Sequence, residues 1–133
     1  MAKIEKFEDL EIWQIGKQIA VEAYRVSDLE PMKSDWGLKD QFRRAAMSIS
    51  DNVAEGFEYN NNPDLVRFLV YANGSSGEFR NKVIILKEAK KINEQDYLFF
   101  YSKAVEFSAK AKRFIDYLKD FEKKKKALKK PSS

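Results

Sequence analysis

A chain of 133 residues with 44% hydrophobic and 35% charged residues is most simply one soluble globular domain with a real core. It contains no cysteine and no histidine, which excludes disulfides, thiolate chemistry, cysteine or histidine metal sites and the commonest general base near neutral pH. The net charge of +4 is concentrated at one end: residues 119–133 hold seven lysines against Asp120 and Glu122, and the rest sums to −1.

The opening MAKIEKFEDLEIW has no apolar stretch followed by a small-residue cleavage site. No apolar run approaches the roughly 20 residues that span a bilayer. The expected location is the cytoplasm. Helix 1 is expected over about 9–26, with Asp9 as its N-cap. Leu10, Trp13, Ala20 and Tyr24 form one apolar line, and Ile12, Ile15, Ile19, Ala23 and Val26 another. Two lines exceed the single stripe of a surface helix, which predicts burial against its own bundle on one side and a second chain on the other.

Pro31 breaks that helix, and Ser34 or Asp35 then caps helix 2, expected over 36–59. Leu38, Phe42, Ala45, Ile49, Val53 and Gly56 share one face. Asn62 is the expected N-cap of helix 3, with Pro63 at its first position and the helix running over 63–91. Its centre, ANGSSGEF, is thinned by glycine and serine, yet the apolar period of Leu65, Phe68, Leu69, Ala72, Phe79, Val83 and Leu86 passes through without a slip. A continuous helix is predicted, with the small residues admitting a neighbouring backbone. Asn93 caps helix 4, expected over 94–122. Phe100, Phe107, Phe114 and Phe121 recur every seven residues, as do Tyr97, Ala104, Ala111 and Leu118, which is bundle packing of large against small. Residues 123–133 are expected to be a basic, disordered tail, leaving 1–122 as the bundle.

The fold class is therefore all-α, an antiparallel up-down-up-down four-helix bundle. On helix 2, Gln41, Arg44, Ser48, Asn52, Glu55 and Tyr59 share an arc of about 80° beside the apolar face. On helix 3, Ser75 and Glu78 lie one turn apart. Together these residues predict a polar seam between helices or subunits, kept because its groups satisfy one another. Glu55 and Glu78 could also be read as paired carboxylates for acid–base work or a metal, but no histidine or nucleophile accompanies them. No catalytic residue, metal ligand or cofactor is expected.

The segments FEDLEIWQIGKQIAVEAY, WGLKDQFRRAAMSISDNVAEGFEY and FLVYANGSSGEF resemble the four-helix-bundle family encoded in 23S rRNA intervening sequences. The matching positions are Phe7, Asp9, Leu10 and Trp13, then Gly37, Leu38, Gln41, Arg43, Arg44 and Ala45. They continue through Ser48, Ile49, Asn52, Ala54, Glu55 and Gly56 to Gly74, Ser75 and Glu78. The resemblance covers about residues 7–118; Ile12 replaces the commoner valine, and Ser50 replaces a proline, which should leave helix 2 straighter. The resemblance implies a homopentamer, hence a ring-like homo-oligomer, and a relation to accessory proteins of diversity-generating retroelements, which associate with a reverse transcriptase and nucleic acid.

Two functions follow as expectations. The first is a non-enzymatic oligomer binding structured RNA or a ribonucleoprotein through Arg43, Arg67, Lys123, Lys124, Lys125, Lys126, Lys129 and Lys130, multiplied around a ring. The alternative is a protein-interaction scaffold, such as a reverse-transcriptase accessory protein, without direct nucleic-acid contact.

Overall fold

The computed structural model describes residues 4–129. A short 3-10 turn, Phe7–Asp9, precedes four helices: α1 (Glu11–Ser27), α2 (Trp36–Glu58), α3 (Asn62–Glu88) and α4 (Glu94–Lys129). No strand occurs among the described residues.

The helix starts follow from short polar side chains, with two shifts from expectation. Asp9 falls in the 3-10 turn, and Leu10 precedes α1 without a side-chain cap. Burial decides this: Leu10 is buried, and the Phe7 ring packs on Trp13 with centroids 5.3 Å apart. Asp35 caps α2, accepting from the Leu38 amide at 3.2 Å. For α3 the cap is Asn61 rather than Asn62, its Oδ1 accepting from the Asp64 amide at 2.8 Å. Asn93 Oδ1 accepts from the Asp96 amide at 2.7 Å at the start of α4. Asn60 and Lys90, with φ of 59° and 60°, terminate α2 and α3 in the left-handed region. That turn ends α3 at Glu88, three residues before the expected limit.

The contacts α1·α2, α2·α3, α3·α4 and α1·α4 enclose one core. Ile19, Phe42, Ile49, Leu69, Phe79, Phe100 and Phe107 are fully buried there. Phe42, Phe79 and Phe100 form a three-ring cluster with centroids 5.4–5.5 Å apart. Late residues of α2 meet early residues of α3 at Gly56 and Phe68, while Phe42 meets Phe79. Gly16 of α1 lies against Ser50 of α2, where an added Cβ would stand 3.1 Å from the serine Cβ.

α3 runs unbroken through ANGSSGEF, as the apolar period requires. The glycines play a different part from the one expected. A Cβ at Gly74 or Gly77 would meet nothing within 4 Å, so neither glycine admits another helix of the same chain. The close approaches occur at Gly16 and Gly56 instead.

The last helix corrects the expected boundary. Residues 123–129 are helical and continue α4, which reaches 36 residues, about 54 Å. Lysine, alanine and leucine are good helix formers, and Asp120 pairs with Lys124 one turn on at 3.0 Å. The phenylalanine ladder fades along this helix: Phe100 and Phe107 are buried, Phe114 is half-buried and Phe121 is 48% exposed. A strict seven-residue repeat drifts about 20° per heptad on a straight helix. The covering helices also run out, since α1 begins beside Lys110 through its ion pair with Glu11. The start of α3 reaches Glu122 through Asn62, at 2.9 Å.

Candidate functional site

The anticipated polar seam forms only in part. Asn52 Nδ2 donates to the Ser48 carbonyl at 2.8 Å and, at 3.4 Å, to Ser75 Oγ across the α2–α3 contact. Ser48 Oγ turns back to the Ala45 carbonyl at 2.8 Å. All three residues are half-buried. Gln41, Arg44, Glu55, Tyr59 and Glu78 are exposed, so within the chain they do not join the seam. The arc that looked continuous on a helical wheel straddles the edge of the core. Its inner members meet α3 and its outer members meet solvent.

A more buried polar contact lies elsewhere. Ser76 is fully buried and donates from Oγ to the Ala104 carbonyl at 3.0 Å. Ser108 Oγ donates in turn to Ser76 Oγ at 3.1 Å, tying α3 to α4. Near it in sequence, Asn73 Oδ1 is buried and has no hydrogen-bond partner among the described residues. The sequence does carry a signal for Ser76: it falls in the core phase of Leu69, Ala72, Phe79 and Val83. Only its polarity disguises it.

The cations divide into held and open groups. Arg43 is half-buried, donating from Nε to Ser27 Oγ at 2.7 Å and from Nη2 to Asp28 at 2.8 Å, with its guanidinium 4.2 Å from the Tyr24 ring centre. Lys39 adds a contact to Asp28 at 3.0 Å. Hydrogen bonding from Lys39, helped by Arg43, holds the Asp28 carboxyl below its ordinary value near 3.8. Arg67 pairs with Asp64 at 3.1 Å and lies over the Phe68 ring. The Asp64 hydrogen bond raises the Arg67 guanidinium further above its already high range. Arg44 is 79% exposed and, among the described residues, pairs only with Asp40 one turn away.

The lysines at the end of α4 form the more open group, although Lys124 pairs with Asp120 one turn away. Lys123, Lys124, Lys125, Lys126 and Lys129 are exposed. Lys130 lies outside the described residues. At 100° per residue the helix sorts them, so that Lys119, Lys123 and Lys126 fall within about 60° of one another. These three line a shallow cleft of about 430 Å³ with Pro63, Val66 and Glu122. Among the described residues no group of three or more acidic side chains could hold a metal ion.

Fold and surface together define an all-α helical protein with its most concentrated charge on a projecting helix. The model for the 23S rRNA-intervening sequence protein family matches residues 8–113, and the chain belongs to that family. Its fold is similar to that of a protein of unknown function from the S23 ribosomal protein family of Bacteroides thetaiotaomicron. That likeness has a TM-score of 0.70 at 18% identity, covering 78% of this chain and 97% of the other. No curated protein matches the chain in sequence. Among the described residues no helix is long and apolar enough to cross a membrane.

Proposed function

We propose that this protein is a non-enzymatic, cytoplasmic homo-oligomer that binds structured RNA or a ribonucleoprotein through the basic face of α4. One observation carries the reading: the lysine run is helical, and its order turns Lys119, Lys123 and Lys126 into an open cationic face. A preformed face loses less entropy on binding than a disordered tail does. Repeated around a ring of subunits, modest charge per chain becomes an avid surface. The pairing of late with early residues between successive helices supports the antiparallel up-down-up-down arrangement.

For assembly, the favoured arrangement is a ring-like pentamer that covers what remains exposed of α1. Ile12, Ile15, Ile19, Ala23 and Val26 are spent on the chain's own core, and Phe7 covers part of Trp13. Val21 and Tyr24 remain 60% and 44% exposed. Light scattering should give a mass several times that of one chain, and Val21→Glu should lower it. A stable monomer at micromolar concentration contradicts the assembly.

A scaffold that docks another protein, such as a reverse transcriptase, is the second reading. It is favoured by Arg43 and Arg67, whose charges are already engaged inside the chain. Capture of partners from the native host separates the two. RNA binding predicts that nuclease treatment releases the captured material and that replacing Lys123 to Lys126 by glutamine prevents its capture. Capture that survives nuclease and the glutamine variant supports the scaffold.

A further inference from the structure

Trp36 opens α2 with 77% of its surface exposed. The fold gives the indole no structural task. Asp35 supplies the cap, and a helix start has no need of a large aromatic ring. Leaving so much apolar ring in water is the kind of departure that marks recognition surfaces, where tryptophan combines large contact area with little flexibility.

Around the ring, α1 and α2 form an open cleft of about 400 Å³, lined also by Tyr24, Lys39, Asp40, Arg43, Arg44 and Met47. Its chemistry alternates flat aromatic faces with cations. The Lys39 ammonium lies 5.2 Å from the Trp36 ring centre, and the Arg43 guanidinium lies 4.2 Å from that of Tyr24. The Tyr24 hydroxyl lies 3.6 Å from the Met47 sulfur. Arg43 is locked by Ser27 and Asp28, so it is oriented before any ligand arrives. Among the described residues Arg44 is held only by an exposed pair with Asp40 at 2.9 Å, a contact that contributes little. A phosphate can recruit it at little loss. Three cations stand against two carboxylates, Asp28 and Asp40, which leaves the cleft net positive.

The ligand that matches both features has a planar ring and a phosphate next to it. Duplex RNA offers the phosphate but keeps its base faces inside the stack, beyond reach of the Trp36 ring. An unpaired nucleotide offers both. We propose that this cleft holds an unpaired nucleotide of an RNA strand, with the base stacked on Trp36 and the adjoining phosphate taken by Arg44. The assignment rests on the RNA-binding reading above and narrows it to loops, bulges or ends. It also adds a second point of contact, on α1 and α2, distinct from the lysine face of α4.

The test uses the full chain at low salt, with Trp36 emission as one readout and anisotropy of labelled RNA as the other. Only two tryptophans are present, and Trp13 is half-buried against Phe7, so loss of the quenching in Trp36→Phe assigns the signal to Trp36. An oligoadenylate strand should quench Trp36 saturably, whereas a duplex of equal length should not. Trp36→Ala should weaken the strand by about 5- to 150-fold, the range for loss of one base–aromatic stack, and leave duplex affinity and melting temperature unchanged. Strand binding that survives Trp36→Ala but fails in the α4 lysine variant overturns this site and spares RNA binding itself. Absence of all RNA binding at low salt overturns both. Adenosine monophosphate binding as tightly as the strand overturns the strand assignment, and a change in oligomer mass on Trp36→Ala would make the indole a subunit contact instead.

Discussion

Gly56 of α2 and Phe68 of α3 stand so close that a Cβ on the glycine would lie 2.6 Å from the phenylalanine Cβ. No real pair of side chains tolerates that distance, so the absence of a side chain at residue 56 sets how near the two helices come. Phe68 in turn stacks on Tyr59 with ring centres 5.2 Å apart, which carries the contact to the end of α2.

Gly56→Ala should therefore destabilise the fold by about 1–3 kcal/mol, because the helices must separate to admit the methyl group. Gly74→Ala provides the contrast. Its Cβ would meet open space, and alanine is the better helix former, so the change should stabilise by about 0.5–1 kcal/mol. Urea unfolding of the two variants should shift in opposite directions.

The buried hydroxyl contact should matter more than the half-formed seam. Ser76→Ala removes the acceptor of Ser108 Oγ inside the α3–α4 contact and should cost about 1–3 kcal/mol. Asn52→Ala loses one bond within α2 and one long bond to Ser75, both at half-buried positions, and should cost about 1 kcal/mol or less. Chemical denaturation that ranks the two the other way round would return the seam to prominence.

Asp28 contributes to the acid side of the stability profile. Its carboxyl is held below the ordinary range by Lys39 and Arg43, so the folded state favours the charged form. The resulting stability is present above the unfolded value, about 3.9, and is lost as pH falls through the lower folded value. Melting temperature measured downward from pH 5 should fall less steeply for Asp28→Asn than for the parent chain. Equal slopes would mean that the two ion pairs are not kept in solution.

Much of the fold is legible in the residue pattern because helices impose one period on everything they bury. Phe100, Ala104, Phe107 and Ala111 could be placed from spacing alone, and all four are buried. Phe121 keeps the spacing yet lies exposed, because how far α4 outruns its neighbours is a tertiary fact. The seam was half-legible for a related reason. A helical wheel orders Asn52 and Glu55 on one arc but does not say where the core edge cuts it. The partners of Arg43 were not legible at all, since Ser27 and Asp28 meet it only once α1 and α2 pack together. The lysine run misled differently: composition suggested a solvated tail, while helix propensity and the Asp120–Lys124 pair favoured one more stretch of α4.

The central claim is that α4 presents a cationic face to RNA, and its most direct test is the salt dependence of binding to a structured RNA. Affinity should fall steeply between about 50 and 200 mM salt, as expected when several phosphates are neutralised. With Lys123, Lys124, Lys125 and Lys126 replaced by glutamine, the slope should flatten and binding at low salt should weaken at least tenfold. No binding at 50 mM salt, or an unchanged slope in the glutamine variant, would contradict the account.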